Sequence, residues 1–406
     1  MATTPHRLGV GLISVGWMGK VHARAYQNIS AIYPELGVAP ELVIAADPAQ
    51  DRQDYAREVL GFAEATADYR EVLARPDVDL VSICAPNFLH AEIGIAAAQA
   101  GKAFWIEKPV GRGAADTQAV FDAVQQAGVV TSIGFNYRHV PAIEFAKHLV
   151  ASGRLGRITN VRGSFFADYS AEPNGALSWR FIRSQAGSGV LGDLMGHLSD
   201  LVAYTLGPIQ EVSALTSTVH AMRPKAQMGA SHFAVIEGGE LGAVENEDYA
   251  AMLVRLSDEA VASGAIGTLE ASRVTVGKRA SYTLEIYGTE GSLSWDFERM
   301  NEVQLALRGD EFVGYRRIMA SPGFGDFERF QPGSGTSMGF DDLKVIEAKK
   351  FIAAYLGGQA NNSNICDALA AARIDDAAEL SAAERRWVAV EPVSGTTAAL
   401  ASPEGS

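Results

Sequence analysis

The 406-residue chain carries 34 Lys plus Arg against 48 Asp plus Glu, a net charge of −14, and is 48% hydrophobic and 20% charged. That length favours two domains, and that composition excludes wholesale disorder. The acidic balance speaks against a nucleic-acid partner, and no apolar run approaches the roughly 20 residues of a membrane span. Residues 8–15 form an apolar run of strand length, followed by a helical pattern through Met18, Val21, Ala25 and Ile29. Segment 42–47 reads as a second strand, 51–60 and 69–74 as helices, and 80–86 as a buried strand. An Ala-rich helix over 91–100 leads to a strand at 103–106, a helix at 114–127 and a strand at 129–135. This alternation predicts a doubly wound parallel sheet with right-handed crossovers, a Rossmann dinucleotide-binding domain over 1–140.

Beyond Arg138 the pattern changes. A helix at 141–152 leads into strands predicted at 158–169, 209–219, 249–256, 266–275, 282–287 and 291–297. Connections as short as Gly288-Thr289-Glu290-Gly291 predict antiparallel pairing. The expectation is an α+β substrate and oligomerisation domain over 141–390 with an open, mostly antiparallel sheet, closed by helices at 339–356 and 368–384. The small-residue tail 391–406 reads as disordered. Segment 223–242 reads as an insertion that lids a pocket or meets a neighbouring subunit. Cys84 and Cys366 lie far apart without ligand spacing, so neither a disulfide framework nor a metal site is expected. The polar stretch before Leu8 has no targeting pattern, and the expected location is the cytoplasm.

Between the first strand and helix lies Ser14-Val15-Gly16-Trp17-Met18-Gly19, which aligns with G-x-G-x-x-G except that Ser14 replaces the first glycine. Gly16 lets backbone amides approach a pyrophosphate, and Gly19 lets the helix pack close to the strand. Ser14, Gly16, Trp17 and Met18 are therefore candidate cofactor contacts, with Ser14 loosening the turn where it is tightest. Asp47 ends the second strand. An acidic side chain there accepts hydrogen bonds from ribose hydroxyls and repels a 2′-phosphate, favouring NAD over NADP. Arg52 nearby pulls the other way, and the competing reading of Asp47 is a turn residue before Pro48.

Three further clusters are Ala85-Pro86-Asn87-Phe88-Leu89-His90, Glu107-Lys108-Pro109 and Gly192-Asp193-Leu194-Met195-Gly196-His197-Leu198-Ser199-Asp200. Together with the N-terminal strand–turn–helix they resemble the glucose–fructose oxidoreductase / inositol dehydrogenase (Gfo/Idh/MocA) family, from about residue 8 to 387. The resemblance implies that Lys108 reaches the reacting oxygen, with a cis peptide before Pro109, and that His197 is the catalytic histidine. An imidazole of pKa near ~6.5 suits proton removal from an alcohol. Asp193 would bind substrate hydroxyls and tune the lysine and histidine, and its spacing of four from His197 puts both on one helix face. Asp200 either orients His197 or caps a turn. Pro86, Asn87 and His90 would lie beside the cofactor, and Asn87 also fits a helix N-cap. Glu107 would contact the ribose on the nicotinamide side. Trp179-Arg180 resembles a W-R pair that reaches the nicotinamide end or the phosphates. Tyr137 and Arg138, after the last strand of the first domain, face the expected cleft, making Tyr137 a candidate substrate contact.

The implied activity is NAD-dependent oxidation of a ring hydroxyl in a sugar, a levoglucosan-like anhydrosugar or a cyclic polyol, without a metal. The implied partners are that small molecule and further copies of the chain, as a homodimer or homotetramer, with no membrane. Two rivals are an NADPH-dependent keto-sugar reductase and a non-catalytic dinucleotide sensor. Intact Lys108, Asp193 and His197 argue against the sensor, which needs no proton-transfer pair.

Overall fold

A computed structural model describes residues 5–225, 234–312, 314–357 and 363–393. Strands such as Leu80–Ile83 and Ala103–Ile106 are buried at every position, as expected where helices cover both faces of a parallel sheet. The first sheet comprises β1 (His6–Ile13), β2 (Val38–Ala46), β3 (Glu64–Thr66), β4 (Leu80–Ile83), β5 (Ala103–Ile106) and β6 (Thr131–Ile133), in the order β3-β2-β1-β4-β5-β6. Every pairing in it is parallel. The crossovers carry α1 (Trp17–Ile32), α2 (Gln50–Tyr55, continued by a π turn over Ala56–Leu60), α3 (Tyr69–Ala74), α4 (Asn87–Gln99) and α5 (Ala114–Ala127). Strand order reverses at the neighbours β1 and β4, whose carboxyl ends open the crevice in which such sheets bind ligands.

The second sheet has nine strands, β7 (Ile158–Phe166), β8 (Ile209–Ser217), β11 (Tyr249–Leu256), β12 (Ile266–Ser272), β13 (Ser281–Gly288), β14 (Gly291–Asp296), β15 (Glu302–Leu307), β16 (Arg316–Met319) and β17 (Val388–Ala389). Their order is β16-β15-β14-β13-β7-β12-β11-β8-β17, antiparallel throughout except β7 with β12. Period-two burial marks one wet face: in β11, Ala250, Met252, Val254 and Leu256 point inward while Leu253 is exposed. Helices α6 (Pro141–Ala151), α7 (Arg183–Ala186) and α8 (Gly196–Leu206) precede β8. A Cβ on Gly163 of β7 would stand 2.6 Å from Leu198, so α8 lies against the sheet because that strand position has no side chain. A separate hairpin pairs β9 (Met222–Pro224) with β10 (Leu241–Ala243). It accounts for the ends of segment 223–242, and residues 226–233 lie outside the described residues, as does the tail from 394 onward.

Among the described residues, three α-helices lie between β16 and β17: α9 (Phe327–Phe330), α10 (Phe340–Tyr355) and α11 (Ile365–Glu384). Helix α10 serves both domains: Leu343 and Ile346 join the core of the second domain, as expected of a helix that closes it. It also packs on α1, where Val345, Ala348, Phe351 and Ile352 join Leu8, Tyr26, Ile29 and Trp105 in one core. Chain distance is no guide here, since the apolar face of α1 lacked a cover in its own third of the sequence. Helix α11 spans the junction, touching α5 and β6 on one side and α8 and β8 on the other.

Candidate active site

The strand–turn–helix at the start of the chain is built by backbone constraint. Ser14 sits at φ 74°, the left-handed region that glycine enters freely and other residues at a cost of about 1–2 kcal/mol. A Cβ on Gly19 would stand 2.1 Å from the Ser14 carbonyl oxygen, so α1 can meet the turn this closely only with glycine there. The first turn of α1 holds no acidic residue, which leaves its N-terminal amides and dipole free to face an anion. Asp47 is buried and pins the turn, its Oδ2 accepting from Val15 N at 2.8 Å and its Oδ1 from Ala49 N at 3.0 Å. The Arg52 guanidinium stands 4.0 Å from Asp47. Trp17 is 68% exposed at the mouth of the turn and stacks on Phe340, centroids 5.7 Å apart, while Met18 beside it is half-buried. A closed glycine cradle, free helix amides and a carboxylate at the end of β2 together fit a dinucleotide.

At the end of β5 the Lys108–Pro109 peptide is cis. Lys108 Nζ donates to the Asp193 carbonyl oxygen at 2.7 Å and to its Oδ1 at 2.9 Å. The other Asp193 oxygen accepts from the Tyr169 hydroxyl at 2.5 Å, and Arg180 stands 3.6 Å away. Burial alone would raise the Asp193 carboxyl, but Lys108, Arg180 and Tyr169 together hold it well below the usual carboxylate range. It is an anion whenever the protein is folded at neutral pH.

His197 lies in an aromatic cage, with ring centroids 4.9 Å from Tyr137, 6.0 Å from Phe135 and 6.2 Å from Phe165. Burial, reinforced by Lys108, pushes its pKa well below the ordinary value, so the imidazole is neutral and a weaker base than a free one. Among the described residues no hydrogen bond reaches its ring nitrogens. Asp193 and His197 lie four apart on one continuous helical stretch. That stretch opens with a π turn over Leu191–Met195, which carries Asp193 and precedes α8. Glu247 supports that turn by accepting from Gly189 N and Leu191 N at 2.8 and 2.9 Å.

Several expected cofactor contacts are placed otherwise. The Glu107 carboxylate turns into the first domain, where Oε1 lies 3.0 Å from His22 Nε2 and accepts from Lys344 Nζ at 2.6 Å. A buried cation, unseen in the local motif, thus shares one carboxylate oxygen with His22. His90 is also turned inward, with Nδ1 2.7 Å from the Pro109 carbonyl oxygen and Nε2 2.6 Å from that of Ala85, tying the end of β4 to the Lys108 turn. Asp200 does not reach His197; Arg138 takes it in a bidentate pair and also donates to Asp367 at 2.9 Å. Asn87 is the first residue of α4 and not its cap, which is Pro86. Its side chain lines a small cavity with Trp179, Arg180, Asp193 and Arg273. Trp179 meets Phe88 edge-on at 6.1 Å, and the Arg180 guanidinium lies 4.7 Å over the Trp179 ring. Tyr169 as a partner of Asp193, and Arg273 as a wall of this cavity, had no signal in local spacing.

A parallel sheet with a phosphate-binding turn, and a lysine, an ionised aspartate and a neutral histidine gathered at its carboxyl edge, define a dinucleotide-dependent oxidoreductase. Residues 8–135 match the family model described as "Oxidoreductase family, NAD-binding Rossmann fold", and residues 143–294 match the GFO/IDH/MocA C-terminal domain. Levoglucosan dehydrogenase of Pseudarthrobacter phenanthrenivorans is 37% identical, over 95% of this chain and 99% of that protein. Inositol 2-dehydrogenase of Rhizobium meliloti is 27% identical, over 94% and 98%. The solved structure of levoglucosan dehydrogenase in complex with NADH and levoglucosan matches with a TM-score of 0.88 at 36% identity, over 95% of this chain and 100% of that one. The chain belongs to the GFO/IDH/MocA family and is an NAD-binding oxidoreductase.

Proposed function

We propose that the protein is an NAD-dependent dehydrogenase that oxidises a ring hydroxyl of a levoglucosan-like anhydrosugar, a sugar or a cyclic polyol to the ketone. The observation that carries this reading is Lys108 Nζ held on Asp193 beside the neutral, caged His197. The bound nicotinamide supplies the hydride acceptor. His197 takes the hydroxyl proton while Lys108, aimed by Asp193, stabilises the charge that grows on the reacting oxygen. Asp193 stays ionised through the step and, with Tyr137, borders the substrate. Ser14, Gly16, Trp17 and Met18 hold the pyrophosphate end and Asp47 the adenosine ribose. Pro86, Asn87, Trp179 and Arg180 border the nicotinamide end. The division of labour is a cofactor domain over 1–140 and a substrate domain over 141–390.

The sugar class is supported by the 37% identity to a levoglucosan dehydrogenase over nearly the full length of both chains. The test is NADH absorbance on mixing purified protein with NAD or NADP and a panel of levoglucosan, inositols, glucose, xylose and glycosides. The expected result is NADH formation with at least one ring polyol and weaker reduction of NADP. Silence across the panel in protein that binds NADH contradicts the reading.

A further inference from the structure

Helix α10 presents Phe340, Lys344 and Glu347 at spacings of four and three, hence on one face. That face meets three parts of the candidate site. Phe340 stacks on Trp17 of the pyrophosphate turn and meets Tyr137 of the His197 cage edge-on at 6.5 Å. Lys344 Nζ, one turn on, donates to Glu107 at 2.6 Å, lies 2.9 Å from Glu347 and stands 5.2 Å over the Trp105 ring. Lys344 is 1% exposed, and the His22 that shares Glu107 is fully buried and stacks on Trp105 at 3.4 Å. The carboxylate has no slack: a Cβ on Gly134 at the end of β6 would stand 2.5 Å from it.

Glu107 and Lys108 are neighbours at the end of β5, where consecutive side chains point to opposite sides. One is therefore tethered inward by Lys344 while the other reaches outward to Asp193. We propose that Lys344 is a positioning residue for the reaction: through Glu107 it fixes the end of β5 and so the place of the Lys108 ammonium. This deepens the dehydrogenase reading and rests on it. A buried lysine is retained only where carboxylates compensate its lost hydration, and here the compensating carboxylate belongs to the residue beside the reacting group. Lys344 touches neither cofactor nor substrate. It acts by geometry, and geometry is where a displacement of about 1 Å lowers rate by about 100-fold.

The test compares kcat, KM and NADH affinity for Lys344→Met, Lys344→Arg and the double variant Glu107→Gln/Lys344→Met, with Lys108→Ala alongside. The proposal expects Lys344→Met to lose kcat by about 10- to 100-fold with NADH affinity and KM close to wild type, and Lys344→Arg to recover much of the rate. The double variant removes the paired charges of Lys344 and Glu107 and leaves Glu347, whose carboxyl burial already raises, to carry a proton; it decides the question if the single Met variant does not fold, and it is expected to fold, bind NADH and show the same loss of kcat. Wild-type kcat in Lys344→Met or in the double variant overturns the proposal. So does a loss of kcat that only tracks the loss of NADH-binding protein. Full activity in Lys108→Ala overturns the reading of the site itself, whatever the Lys344 variants do.

Discussion

His22 shows how a single buried side chain writes pH into stability. Burial, against the hydrogen bond to Glu107, lowers its pKa from 6.5 to about 4. As pH falls below 6.5 the unfolded chain takes up a proton that the folded chain refuses until about pH 4, so stability drops across that window. The contribution lost by pH 4 is about 3 kcal/mol. Thermal unfolding midpoints should therefore fall from pH 6.5 to pH 4, and His22→Gln should flatten that slope even though it lowers the midpoint overall. An unchanged slope would show that His22 accepts its proton in the folded state. The same scale separates Glu107 from Lys108. One is closed into the core by His22 and Lys344; the other keeps donors on the open side of Asp193.

Among the elements, what local pattern can encode was readable and what depends on distant partners was not. Apolar runs such as Leu80–Ile83 and Ala103–Ile106 alternating with helical patterns announce the parallel sheet, and connections as short as Gly288-Thr289-Glu290-Gly291 announce the antiparallel one. The three-residue edge strand Glu64–Thr66 and the late strands Glu302–Leu307, Arg316–Met319 and Val388–Ala389 went unseen, being short or half-exposed. Helix α10 is legible as a helix of the second domain, where Leu343 and Ile346 join the core, but its further packing on α1 is not, since amphipathic periodicity gives a face and never its neighbour. In the site, Lys108, Asp193 and His197 were located by motifs. The π turn that carries Asp193 and the ion pairs of Glu107 with Lys344 and Asp200 with Arg138 join residues 237 and 62 positions apart. Spacing within a motif carries no information about such pairs.

At the scale of the whole molecule, the nine-stranded sheet leaves one face open among the described residues. Leu215, Leu253 and Ile266 stand exposed there on β8, β11 and β12, which are paired in register. Exposed apolar side chains on a broad sheet are what an association surface requires. The homodimer or homotetramer that the family resemblance implies predicts a sedimentation mass of two or four times 43.1 kDa, and a monomer at micromolar concentration would contradict it. Among the described residues no helix is long and apolar enough to cross a membrane. The two sheets meet where the end of β5 faces the π turn before α8, so catalysis is assigned to a junction between domains and to one lysine in particular. The measurement that tests this most directly is the turnover of Lys108→Ala with NAD and the polyol accepted by the wild-type protein. The account predicts a loss of about 100-fold or more in kcat with NADH binding retained. Near-normal turnover in that variant would contradict it.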